Sequence, residues 1–168
     1  MLDPSYALVV SNASIKTNVV MSISYVHVHN KPVIKMIHHA VNIITMEAKL
    51  FTIRCSINQA TALPGISNII VLMDSIHTVG KIFDSSSHPF QIHVVAILAE
   101  FRIFFSKNHN NSIEFWECPS HCKWPLHEIV NEETKQFHPC PQYSCKSSWD
   151  FSKKNECDNI LSLWKMTL

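Results

Sequence analysis

Glycine and charge are both scarce in this chain. Only two glycines occur among 168 residues. Loops that cradle phosphates and the Gly-x-Ser-x-Gly nucleophile turn both need closely spaced glycines, so neither a nucleotide-binding loop nor that type of serine hydrolase has support. Charged residues make up 16% of the chain and the formal net charge is +1. No overall basic field announces a polyanionic partner, and composition neither supports nor excludes one. The eleven histidines would add positive charge only in mildly acidic conditions. No apolar run approaches the ~18–20 residues that span a bilayer. Met1-Leu2-Asp3-Pro4 lacks the basic start and apolar core of a secretory leader. The expectation is an intracellular protein, nuclear or cytoplasmic and not secreted. Its cysteines (Cys55, Cys118, Cys122, Cys140, Cys145, Cys157) would then be reduced, and the sequons at Asn12 and Asn110 chance matches.

What is present fits one α/β domain with an appended tail. Leu8-Val9-Val10 reads as a buried strand closed by the turn-forming cluster Ser11-Asn12-Ala13-Ser14. Residues 19–28 alternate, with Val19, Met21, Ile23 and Tyr25 on one face and Ser22 and Ser24 on the other. Asn30-Lys31-Pro32 breaks the run, and a third strand extends from Val33 to Val41. Three consecutive strands imply an antiparallel meander.

The period then changes. Leu50, Ile53, Ile57 and Ala60 form an apolar stripe at helical spacing, with Lys49, Thr52, Ser56 and Gln59 as the polar side and Thr45 as N-cap. Ile69 to Met73 reads as a strand buried on both faces. Asp74-Ser75 caps a helix from Ile76, and 90–106 is a helix whose Phe101, Phe104 and Phe105 belong to the core. A strand over Ile113–Glu117 and a helix from Leu126 to Phe137 complete the order β-β-β-α-β-α-α-β-α. The predicted fold is a five-stranded mixed sheet with helices on both faces, spanning residues 1–137. Residues 138–168 form a Cys-containing, partly irregular tail.

Open α/β sheets bind ligands at the carboxyl ends of their strands. Asn12 and Asp74 are expected at such ends, Glu47 in the opening turn of the first long helix, and Asn131 in the opening turns of the last. The segments Val9-Val10-Ser11-Asn12-Ala13-Ser14, Thr45-Met46-Glu47-Ala48-Lys49-Leu50-Phe51-Thr52-Ile53 and Val71-Leu72-Met73-Asp74-Ser75 resemble, in order and spacing, type 1 ribonuclease H domains. The resemblance is nearest to those at the ends of retroelement reverse transcriptases. Trp116-Glu117-Cys118-Pro119-Ser120-His121 resembles the family's histidine loop. Val130-Asn131-Glu132-Glu133-Thr134-Lys135 falls where the family has its last catalytic carboxylate.

The resemblance implies hydrolysis of the RNA strand of an RNA–DNA hybrid, with four carboxylates holding two Mg²⁺ (or Mn²⁺) ions. It assigns metal-holding roles to Glu47 and Asp74 and a proton-shuttling role to His121. At the other two ligand positions the chain carries amides, Asn12 and Asn131, so the expectation is an impaired site, with Mg²⁺ weakly bound or lost. A neighbouring acid, Glu128, Glu132 or Glu133, could instead stand in for Asn131. Lys123 and Trp124 could contact the hybrid by charge and stacking, or Trp124 could anchor the loop on the core. The alternative function is a non-catalytic nucleic-acid-binding or protein-interaction module.

Outside that resemblance, His27 and His29 share a strand face and could bind a metal, with simple strand histidines as the plainer reading. His138, Cys140, Cys145 and Cys157 leave a small tail zinc site open, although no standard Cys-x-x-Cys pair occurs.

Overall fold

The computed structural model describes residues 5–16, 19–41, 43–118 and 124–136. His121, Lys123, and the residues of the tail and its cysteines lie outside them. The described elements follow the expected order: β1 (Tyr6–Lys16), β2 (Val19–Val28), β3 (Lys31–Val41), α1 (Thr45–Ala62), β4 (Asn68–Met73), α2 (Ile76–Ile82), α3 (Gln91–Lys107), β5 (Ser112–Glu117) and α4 (Pro125–Gln136). They build one sheet in the order β3-β2-β1-β4-β5. The β1-β2 and β2-β3 pairs are antiparallel, and β1-β4 and β4-β5 are parallel. The parallel pairs require crossovers, which α1 and then α2 with α3 supply.

Both faces of the sheet are covered, as alternation along the strands demands. On one, Ala7, Val9, Val26 and Val71 pack with Leu50, Ile53 and Ile57 of α1 and Ile97, Phe101 and Phe104 of α3. On the other, Val10, Ile23, Ile70 and Leu72 pack with Val130 of α4. Met73 completes a β4 core whose residues from Ile69 onward are all buried, as its unbroken apolar run predicts.

Several local expectations are corrected. The cluster Ser11–Ser14 is not a turn, because β1 runs on to Lys16. Asn12 pairs with Ile23 and Ser14 with Met21, and a completed ladder outweighs local turn preference. Asn12 is therefore mid-strand. It still lies beyond the stretch of β1 that pairs with β4, which ends at Val10↔Leu72. Extending that parallel register by two residues puts Asn12 level with Asp74.

The hairpin between β2 and β3 turns on His29 (φ 53°) and Asn30 (φ 61°). Two left-handed residues give the twist that a tight hairpin needs. His29 is thus in the turn rather than on the strand face of His27. Pro32 falls inside β3 near a register shift, which is tolerated on an edge strand.

The polar side of α1 is also not solvent-facing throughout. Thr52 and Ser56 are fully buried, their hydroxyls donating to the carbonyls of Ala48 and Thr52 at 2.7 Å each. Such back-bonding satisfies a hydroxyl within its own helix. Thr45 is the first helical residue and not the cap, a position held by Ile44 without a side-chain bond. Phe105 is 39% exposed, unlike its core neighbours Phe101 and Phe104.

Candidate functional site

Strand β1 and helix α4 meet through two amides. Asn12, 6% exposed, donates from Nδ2 to Asn131 Oδ1 at 3.1 Å and to Thr134 Oγ1 at 3.5 Å. Its own Oδ1 accepts the backbone N–H of Ala13 at 2.7 Å. Thr134 in turn donates to the Asn131 carbonyl at 2.9 Å. Helical spacing puts Asn131 and Thr134 on the face that also buries Val130, so α4 lies across β1 with these polar groups inward.

Further along β1, Ser14 Oγ donates to the Thr134 carbonyl at 2.9 Å, and Lys16 Nζ donates to the Lys135 carbonyl. These contacts tie the last described turn of α4 to β1.

Of the two carboxylates expected to hold metal, Asp74 has another partner and Glu47 lies near a histidine. Asp74 follows the last residue of β4, and its Oδ1 takes the ammonium of Lys49 at 2.7 Å. The two side chains are 23% and 17% exposed, respectively. Glu47 lies 3.7 Å from Nε2 of His93 on α3, too long for a direct hydrogen bond. Among the described residues, neither ring nitrogen of the buried His93 has a hydrogen-bond partner. The divergence of Glu47 and Lys49 follows from helix geometry, since residues two apart project about 200° from each other. Asp74 does not cap α2 as expected. Nor does Ser75 form a side-chain cap bond; the N–H of Ile76 is accepted by Glu117 Oε1 at 3.3 Å.

Of the acids that could replace Asn131, Glu133 is engaged elsewhere. Tyr25 donates to its Oε1 at 2.7 Å, and Lys35 Nζ lies 2.8 Å from its Oε2. Burial raises the Glu133 carboxyl, but the bonds from Lys35 and Tyr25 outweigh burial and hold it below the usual carboxylate range. This cluster fastens α4 to β2 and β3. Trp124, just before α4, is 43% exposed, so its ring is available to a partner and does not serve as a buried anchor.

A pair of divalent ions does not fit these residues. Mg²⁺ takes oxygen ligands in near-octahedral array. Here Asn12 directs its amide nitrogen at Asn131, the Asn131 oxygen accepts that bond, and Asp74 already holds an ammonium. Among the described residues no group of three or more His, Cys, Asp or Glu side chains could hold a metal.

Two participants were not marked by the sequence pattern. Lys49 reads as an ordinary polar-face residue. His93 lies within an apolar helix with no motif around it.

No family model and no curated protein matches the chain by sequence. Solved structures do match by shape. The N-terminal RNase H domain of rv2228c from Mycobacterium tuberculosis, solved as a fusion with maltose binding protein, aligns with a TM-score of 0.62 at 15% identity, covering 78% of this chain and 94% of that one. RNase H1 from Halobacterium salinarum aligns at 0.55 and 8% identity, covering 76% and 92%. LC11-RNase H1, isolated from compost and solved in complex with an RNA/DNA hybrid, aligns at 0.55 and 11% identity, covering 77% and 96%. The chain is similar to these in fold, and its five-stranded mixed sheet flanked by helices is ribonuclease H-like.

Proposed function

We propose that this chain is a ribonuclease H-like domain of retroelement type that engages RNA–DNA hybrids and has lost metal-dependent hydrolysis. One observation carries the reading: Asn12 and Asn131 are hydrogen-bonded to each other where the family resemblance calls for carboxylates. Two-metal hydrolysis needs negative oxygens that position and neutralise the ions. An amide pair satisfies itself and offers no charge. Glu133 does not restore the missing charge, since Lys35 and Tyr25 hold it.

Binding does not depend on that chemistry. Hybrid recognition rests on backbone contacts and stacking, and exposed Trp124 with Lys123 beside it in sequence supplies an aromatic face and a positive charge. Solved LC11-RNase H1 holds an RNA/DNA hybrid, which makes the same ligand class the natural one to try on this fold.

The test is fluorescence anisotropy of a labelled RNA–DNA hybrid, with Mg²⁺ and with EDTA. Saturable binding of equal strength in both is expected, weakened by Trp124→Ala about fivefold or more, since stacking contributes about 1–3 kcal/mol per base. Absence of binding to the hybrid in either buffer would contradict the proposal and leave a protein-interaction module as the better account.

A further inference from the structure

The ion pair between Lys49 and Asp74 is not explained by the loss of carboxylates alone. With Asn12 and Asn131 already neutral, Asp74 could have faced solvent, as aspartates after strands commonly do. Instead a lysine from the neighbouring helix reaches it at 2.7 Å, both groups mostly withdrawn from water. Asp74 and Lys49 offset each other and Asn12 and Asn131 carry no charge, while Glu47, the other expected ligand, lies beside His93.

We propose that Lys49 is a built-in counter-ion, which occupies the cation position beside Asp74 and closes this end of the sheet to divalent metals. The inference rests on the site assignment above and extends it: loss of metal is enforced by a residue that is present, besides being permitted by residues that are missing. An ammonium bonded to the carboxylate competes with an incoming ion for the same oxygen. It also repels that ion, because like charges at such range disfavour one another. Restoring carboxylates at 12 and 131 without removing Lys49 therefore leaves one ligand blocked.

The experiment uses Mn²⁺ as probe, read by electron paramagnetic resonance on the full chain. N12D/N131D is compared with N12D/N131D/K49M, and N12D/N131D/K49R keeps the charge as a control. Circular dichroism establishes that each variant is folded. The triple variant with methionine should bind Mn²⁺ roughly tenfold or more tightly than the double variant, the usual scale for removing one close like charge, and the arginine control should resemble the double variant.

Equal binding by the double variant and the methionine triple would overturn the role of Lys49 while leaving the site assignment intact. No binding by any variant would overturn the assignment and the inference with it. A second readout needs no restored carboxylate. The melting temperature of the wild type should be indifferent to Mg²⁺, whereas K49M should melt lower and be partly rescued by Mg²⁺. An equal response to Mg²⁺ in both proteins counts against the proposal.

Discussion

A hydrogen bond between two amides needs one donor and one acceptor, and Asn12 and Asn131 supply one of each at 3.1 Å. The pair holds α4 to β1 with no help from an ion. Two aspartates in their place would repel each other when ionised, in a setting where Asn12 is almost fully buried and the charged form is disfavoured. The N12D/N131D variant should therefore be less stable than wild type in EDTA. Leaving buried charged groups without partners costs about 2–3 kcal/mol, and the melting temperature should fall on the order of 5–10 °C. N12D alone should cost less, because the Asn131 amide can rotate to donate to the new carboxylate. Thermal melts followed by circular dichroism in EDTA check this. An unchanged melting temperature in the double variant would mean that the two side chains do not meet as described.

Helix α4 is held at its other side by Glu133, which receives Tyr25 from β2 and Lys35 from β3. Lys35 is 41% exposed and Glu133 31%, so screening by solvent keeps the contribution small. Glu133→Gln should cost about 0.5–1 kcal/mol near neutral pH. The Glu133 carboxyl sits below its ordinary value of 4.5 in the fold, burial being outweighed by Lys35 and Tyr25. Its stabilisation is therefore complete above pH 4.5 and disappears as the pH falls through the folded value. Melts of wild type and E133Q should differ near pH 7 and converge in acid. A gap that widens in acid would contradict the clamp.

At this scale much was legible in the sequence. The shift from period 2 to helical spacing after Val41 located α1, and the unbroken run Ile69–Met73 located β4. The extent of β1 was not, because Ser11-Asn12-Ala13-Ser14 favours a turn locally and only the cross-strand partners of β2 keep it extended. Thr52 and Ser56 were misjudged for a related reason, since a hydroxyl that bonds its own helix can be buried without cost in unmet hydrogen bonds.

In the whole molecule, fold and site were legible to different depths. Element order and sheet composition follow from periodicity, and the resemblance to known structures is one of fold at 8–15% identity. That amides, Asn12 and Asn131, stand where the resemblance expects carboxylates could be read directly. What those amides do could not, because their hydrogen bond spans 119 positions of the chain. The Lys49–Asp74 pair was hidden too, since a lysine on a helix face has many possible partners until the packing is known.

On the proposed reading, this ribonuclease H-like fold binds hybrids without cutting them, its β1–α4 contact being held by its own side chains. The decisive measurement is incubation of the wild-type protein with a labelled RNA–DNA hybrid and Mg²⁺ or Mn²⁺, with the strands separated by gel. Intact RNA after prolonged incubation, at protein concentrations that saturate binding, is the predicted result. Shorter RNA products that form only when metal is present would contradict the account at its centre.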